Sequence, residues 1–183
     1  RLLAAFDVLL YRLSGQTDFA VGTPTAGRLH PDTEHLLGCF LNTLVLRADL
    51  SGQPTFREML RRVRETALGA FAHQDVPFEK LVEELRVERD PSRTPLFQVL
   101  FNLHSGARPK LSLAGLTVES VPLPVTRTAY DLTLTATDAP DGLTLQFEYC
   151  TALFDRATAT RWLGHLETLL GDVVAHPDET IQA

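Results

Sequence analysis

Leu96-Phe97-Gln98-Val99-Leu100-Phe101-Asn102-Leu103 is the stretch that decides the fold. Phe97, Val99 and Phe101 alternate with Leu96 and Leu100, so both faces of an extended chain would be apolar. A strand of that composition belongs in the middle of a covered sheet. After it come two strands with one apolar face each. Tyr130, Leu132, Leu134 and Ala136 alternate with Asp131, Thr133, Thr135 and Thr137. Leu143, Leu145, Phe147 and Tyr149 alternate with Thr144, Gln146 and Glu148. Ala139-Pro140-Asp141-Gly142 joins them as a hairpin, each strand with one wet face.

Helical stripes surround these strands. Leu2, Leu3, Phe6, Leu9, Leu10 and Leu13 recur at helical spacing and stop at Gly15. Thr55-Phe56-Arg57-Glu58 fits a capping box, followed by a stripe of Phe56, Met59, Leu60, Val63, Ala67, Leu68 and Phe71. A second helix is expected from near Asp75, with Pro77 in its first turn and Phe78, Leu81, Val82 and Leu85 as its apolar face. A last helix from Asp155 carries Ala159, Trp162, Leu163, Leu166, Leu169, Leu170 and Val173. Phe19-Ala20-Val21 reads as a short strand entering a turn-rich segment, residues 22–31. Asp32 is expected to cap one helical turn ending at Gly38, and residues 43–49 form a strand closed by Ser51-Gly52-Gln53-Pro54. The class is α/β (α+β), a mixed sheet flanked by amphipathic helices.

Composition narrows the function. The chain has 183 residues, 44% hydrophobic and 22% charged, with 11 Gly and 11 Pro. Those are the proportions of a folded chain, and a chain of this size buries roughly 70% of its unfolded surface. A formal net charge of −6 without a basic cluster disfavours nucleic acid and anionic membranes. The apolar opening, residues 2–11, contains Asp7 and is too short to span a bilayer. Cys39 and Cys150 are expected to be free thiols of a reducing, cytoplasmic compartment. A chain that opens inside a helical pattern without Met reads as a piece of a longer polypeptide.

Several motifs fail on chemical grounds. Gly22-Thr23-Pro24-Thr25-Ala26-Gly27-Arg28-Leu29 has the glycine spacing of a phosphate loop, but Arg28 and Leu29 stand where Lys and Ser/Thr are needed. It reads instead as a tight turn. No pair among His30, His35, His73, His104, His165 and His176 has zinc spacing with a third ligand, so no metal is expected. His104-Ser105-Gly106 lacks the first glycine of a nucleophile elbow. Arg57, Arg61, Arg62 and Arg64 are broken by Glu58 and Glu65, as on a solvated helix face. From residues alone the reading stops at a soluble α/β piece of a larger protein.

Three strings carry it further: Leu37-Gly38-Cys39-Phe40-Leu41-Asn42-Thr43-Leu44-Val45-Leu46-Arg47, His73-Gln74-Asp75-Val76-Pro77-Phe78-Glu79, and Arg89-Asp90-Pro91-Ser92-Arg93-Thr94-Pro95-Leu96. In this order and spacing they resemble the C-terminal signature motifs of condensation domains of nonribosomal peptide synthetases. Residues 19–28 and 130–155 resemble the same family, so the likeness covers essentially the whole chain.

The resemblance implies one lobe of a chloramphenicol-acetyltransferase-like fold, two similar lobes in a V with a tunnel between them. Carriers dock at the tunnel's two ends. The amine of an acceptor aminoacyl thioester attacks the carbonyl of a donor aminoacyl or peptidyl thioester, and a peptide bond forms. No cofactor is bound directly. Substrates arrive on the phosphopantetheine arms of upstream and downstream carrier domains, beside a neighbouring adenylation domain, in secondary metabolite and antibiotic biosynthesis.

The family's HHxxxDG motif is absent from residues 1–183, where no two His are adjacent. The chain is therefore expected to be the C-terminal subdomain alone, without the N-terminal subdomain, inactive by itself, and with no catalytic residue of its own. The resemblance implies a tunnel and acceptor-side set of Thr23, Ala26, Gly27, Arg28, Asn42 and Thr43. For Asn42 and Thr43, substrate contact and backbone hydrogen bonding are both open readings. His73, Gln74, Asp75, Pro77, Arg47, Arg89 and Arg93 form the structural set, with Asp75 as a helix cap and the arginines holding loops. Residues 104–128 resemble the crossover onto the other lobe, with Leu113, Leu116 and Val121 seeking its surface. Self-association through the exposed lobe face is expected. The alternative is a non-catalytic condensation-like domain that docks carriers or recruits a tailoring enzyme. Epimerisation and heterocyclisation domains, which share the fold, fit the strings less well.

Overall fold

The computed structural model describes residues 1–88, 90–105, 113, 115–119, 121, 127–140 and 142–182. The order of elements is α1 (Leu2–Ser14), β1 (Asp18–Thr25), a 3-10 turn (Pro31–Thr33), β2 (Asn42–Asp49), α2 (Phe56–Ala72), α3 (Phe78–Glu84), β3 (Val99–Ser105), β4 (Leu132–Ala139), β5 (Gly142–Tyr149) and α4 (Arg156–Ala175).

The five strands form one mixed sheet in the order β2-β1-β3-β4-β5. β1 is antiparallel to β2, parallel to β3 where Gly22 faces Leu100, and β3 is parallel to β4. β4 and β5 form the antiparallel hairpin, from Leu132 opposite Tyr149 to Ala139 opposite Gly142. The double-sided apolar stretch thus lies in the central strand. Its first residues do not: Leu96 has φ 69 and the strand begins at Val99.

Opposed residues share a face, and side chains alternate along each strand. One face carries Phe19, Val21, Ala48, Phe101, Leu132, Leu134 and Phe147, all in or against the core that α1, α2 and α4 complete. The Phe6 ring of α1 sits 6.1 Å from Phe101 and 6.2 Å from Phe147. Gly15 ends α1 in the left-handed region (φ 73), its N–H donating to the Tyr11 carbonyl at 2.7 Å. Only a residue without Cβ adopts that turn at little cost. The C-terminal tail closes the layer. Ile181 is buried, its N–H donates to the Pro54 carbonyl at 3.0 Å, and Arg12 Nε donates to its carbonyl at 3.1 Å.

Four local expectations change. β1 continues past Val21 through Gly22 and Pro24 to Thr25, so this segment is strand rather than turn, and no helix follows it. Pro24 keeps its place opposite Thr43 in the β1–β2 ladder, while β1 pairs with β3 at Gly22 alone. The 3-10 turn is capped by His30, whose Nδ1 accepts from the Asp32 N–H, and it ends at Thr33. Thr55 caps α2 by accepting from the Glu58 N–H at 3.2 Å, but the Glu58 carboxylate turns outward to Arg61 and Arg62, leaving half a capping box. Finally, Leu68, Phe71 and Leu85 are exposed: periodicity marks a face, and nothing among the described residues covers the last turns of these helices.

Cys39 and Cys150 are free. Among the described residues no helix is long and apolar enough to cross a membrane.

Candidate functional site

Asn42 is the hub at which the first two strings meet. It opens β2, and its carboxamide is fully used. Nδ2 donates to the carbonyls of Gln74 at 2.8 Å and Val76 at 2.7 Å. Oδ1 accepts the N–H of Thr43 at 2.9 Å and of Phe78 at 3.1 Å. The last contact caps α3. Pro77 occupies the cap position and offers no side-chain acceptor, so the free N–H of Phe78 is satisfied from a strand 36 residues away. Asp75 is therefore not the cap. It is exposed and makes no side-chain hydrogen bond among the described residues, because it precedes the helix by three positions.

Gln74 ties the same turn to β1. Its Oε1 accepts from Thr25 Oγ1 at 2.7 Å, and its Nε2 donates to the Phe71 carbonyl at 3.0 Å. His73 ends α2, with Nδ1 2.9 Å from the Gly69 carbonyl oxygen. Of the two open readings of Asn42, the backbone hydrogen bonds are present.

The second string meets the residue that follows the third, Phe97, through aromatic rings. Phe78 stands edge-on to Phe97 at 5.7 Å, and Phe97 stacks on Tyr130 at 5.5 Å. Phe97 lies against Gly22, in space that a Cβ there would occupy. Between α3 and the chain leading to β3 opens a cleft of about 1160 Å³, with Phe78, Glu79, Val82, Asp90, Arg93 and Leu96 among its lining residues.

Within the third string Asp90 does the holding. Its Oδ1 accepts the Ser92 N–H at 2.9 Å and the Ser92 hydroxyl at 2.6 Å, which keeps the carboxyl below its usual range. Arg93 Nε reaches Asp90 at 3.4 Å, a contact within the same loop. Arg89 lies outside the described residues. Arg47 is bidentate, but across strands: Nε and Nη2 meet the Asp18 carboxylate at 2.8 and 2.6 Å. That exposed pair fastens β2 to β1 rather than a loop.

The stretch after β1 is a staple. Arg28 donates to the carbonyls of Thr33 and Gly38, and its guanidinium lies 4.4 Å over the Phe40 ring. Gly27 (φ 62) passes so close to the Phe40 carbonyl that a side chain there would collide. Ala26 is exposed, while Thr23 and Thr25 are buried. Arg28 and Gly27 therefore shape residues 27–40, and Thr43 stands beside Asn42 at the start of β2. Leu36 and Leu37 in this loop, and Leu41 just after it, are exposed. Leu113, Leu116 and Val121 are exposed as well.

Among the described residues no group of three or more His, Cys, Asp or Glu side chains is placed to hold a metal. Two features escaped the sequence reading. One is the remote cap by Asn42, for which the only signal is a helix starting after Pro77 without a capping side chain. The other is Asp7, 2% exposed inside α1 with Oδ1 unpaired, which burial pushes well above the usual carboxylate range.

The family model for the condensation domain matches residues 1–183. The chain is 54% identical over 186 residues to a linear gramicidin synthase from Brevibacillus parabrevis, covering 100% of this chain and 4% of that protein. Among solved structures it resembles the X-domain from teicoplanin biosynthesis in its complex with OxyB, with TM-score 0.88 and 31% identity over 99% of this chain and 40% of that one. It also resembles a four-domain nonribosomal peptide synthetase bound to AMP and glycine, with TM-score 0.85 and 27% identity over 98% of this chain and 15% of that one. The chain thus spans a small part of the length of these relatives.

Proposed function

The chain belongs to the condensation-domain family, and from that premise we propose that it is the acceptor-side, C-terminal lobe of a domain that forms peptide bonds between carrier-bound thioesters. The observation that carries the reading is the convergence of the three strings on one piece of architecture. Asn42 of the first holds the turn and helix start of the second, and Phe78 of the second packs on Phe97 beside the third.

On this reading the lobe positions and does not supply the base. The acceptor amine attacks the donor thioester carbonyl, a C–N bond forms, the C–S bond breaks, and the thiol of the donor carrier leaves with the proton. Most of the gain comes from holding the two thioesters in register. A proton acceptor for the amine is assigned to the HHxxxDG motif of the N-terminal lobe. The partners proposed are that lobe, two carrier domains presenting phosphopantetheine thioesters, and an adjoining adenylation domain. The stapled loop with exposed Leu36, Leu37 and Leu41 suits a docking role on the acceptor side.

A second reading has one observation behind it, the likeness to an X-domain solved in complex with OxyB. On that reading the lobe is part of a recruiting module without its own chemistry.

The source gene decides first: an intact HHxxxDG about one lobe-length upstream supports the catalytic reading, and a broken one the recruiting module. The complete domain is then given one carrier loaded with a donor and one with an acceptor aminoacyl group. Dipeptidyl product on the acceptor carrier is expected from the complete domain and not from residues 1–183 alone. Product from residues 1–183, or none from a domain with an intact motif, overturns the assignment.

A further inference from the structure

The second face of the β3–β4 pair has the wrong composition for the inside of a parallel sheet. Parallel strands are normally covered, and apolar, on both faces. Toward the helices these strands place Phe101, Leu132, Leu134 and Ala136, all buried. Away from them they place Asn102 opposite Thr135 and His104 opposite Thr137, and β5 extends the two rows with Gln146 and Thr144; the adjoining row on this face is buried Leu100, buried Thr133 and half-buried Glu148. His104, Gln146 and Thr144 are exposed. The six side chains of the two outer rows hydrogen bond and none of them carries a fixed charge. A dry apolar layer laid on this face would leave them unpaired. These two rows suit a neutral, hydrogen-bonding occupant. The X-domain neighbour, of which this chain covers 40%, has polypeptide beyond this lobe against which such an occupant could be held.

Asn102 and His104 define its chemistry. Asn102 Nδ2 lies 3.1 Å from His104 Nε2. Nδ2 only donates, so Nε2 accepts and the ring proton sits on Nδ1. The pair keeps one acceptor, Asn102 Oδ1, and one donor, His104 Nδ1–H, outside its own bond. A primary carboxamide presents a donor and an acceptor along one edge and satisfies both. An apolar group of the same size satisfies neither.

We propose that Asn102 and His104 are specificity-determining residues that favour an aminoacyl group with a side-chain carboxamide over an apolar one of equal size. The inference rests on the condensation reading above.

The test uses the complete domain with its two carriers. Glutaminyl and leucyl thioesters compete, first as acceptors and then as donors, which identifies the carrier whose aminoacyl group this face reads. The glutaminyl group is expected to win by tenfold or more in one of the two positions. Asn102→Leu and His104→Leu are each expected to lower that ratio about tenfold, through the glutaminyl kcat/KM. A ratio near one in both positions, or one that neither variant moves, overturns the inference and leaves peptide-bond formation standing. No amide from either thioester overturns both. A readout without turnover follows the His104 ring resonances of the same domain: N-acetylglutaminyl pantetheine is expected to shift them and the leucyl analogue is not. Equal shifts, or none, overturn the inference.

Discussion

The ring of Phe97 fills the space that any side chain on Gly22 would need. It cannot easily yield, because Phe78 packs on it at 5.7 Å and Tyr130 at 5.5 Å. Both Gly22 and Phe97 are buried. Gly22→Ala is expected to cost about 1–3 kcal/mol by overpacking, a fall in Tm of roughly 3–10 °C for a chain of this size. Combining it with Phe97→Leu is expected to cost less than the sum of the single changes, since the two share one space. An unshifted Tm for Gly22→Ala would show that the ring moves aside freely.

Asn42→Ala strands two carbonyls and two N–H groups at once. Water reaches some of them, so the expected loss is about 2 kcal/mol rather than the sum of four bonds. It should appear as a lower denaturant midpoint and as faster amide exchange at Phe78. Asn42→Asp keeps the two acceptor contacts but turns an anionic oxygen toward the Gln74 and Val76 carbonyls. It is expected to be nearly as damaging at pH 7. Exchange at Phe78 that stays slow in both variants would mean that α3 finds its cap elsewhere.

Asp7 makes stability depend on pH. Burial raises its carboxyl well above the ordinary value in the folded chain, whereas the unfolded chain ionises near pH 4. The folded state therefore binds the proton more tightly. Its stability is fullest below the unfolded pKa and is lost as pH rises toward the folded one. Asp7→Asn removes that titration. It is expected to raise Tm at pH 7.5 by several degrees, for about 1–3 kcal/mol, and to change little at pH 4. Equal shifts at the two pH values would refute a titrating Asp7.

Arg28→Lys keeps the charge and loses the fork that reaches the Thr33 and Gly38 carbonyls while lying over Phe40. Cleavage within residues 29–38 by a dilute protease is expected to speed up about tenfold, in step with the population of the open loop. A cleavage rate equal to that of the native chain would mean that Gly27 and Phe40 hold the loop without the guanidinium.

What could be read from the sequence was what its neighbours in sequence determine. Gly15 stopping α1, Thr55 capping α2, Asp155 capping α4 and the β4–β5 hairpin depend on residues within a few positions, and all are in place. Gly22 and Pro24 misled because each breaks regular structure in isolation, while the sheet around β1 overrides that preference. The contacts of Asn42 were illegible for a different reason. A carboxamide announces that it can bond, not to what, and its partners lie 32–36 positions away. The three strings identified a family without showing that Asn42 and Phe97 join them.

The single paired position between β1 and β3, Gly22 opposite Leu100, also bears on how the chain assembles. β1 with β2, and β4 with β5, can each form from short stretches of sequence. Their union waits for a loop of more than seventy residues to close at one point, the step for which chain entropy is greatest. Each strand pair by itself would present open edges, and the glycine that admits Phe97 is where the two halves of the sheet meet. The same small residue that lets the finished sheet pack is thus placed to govern how quickly a new chain escapes the period in which its strands can pair with a neighbour's.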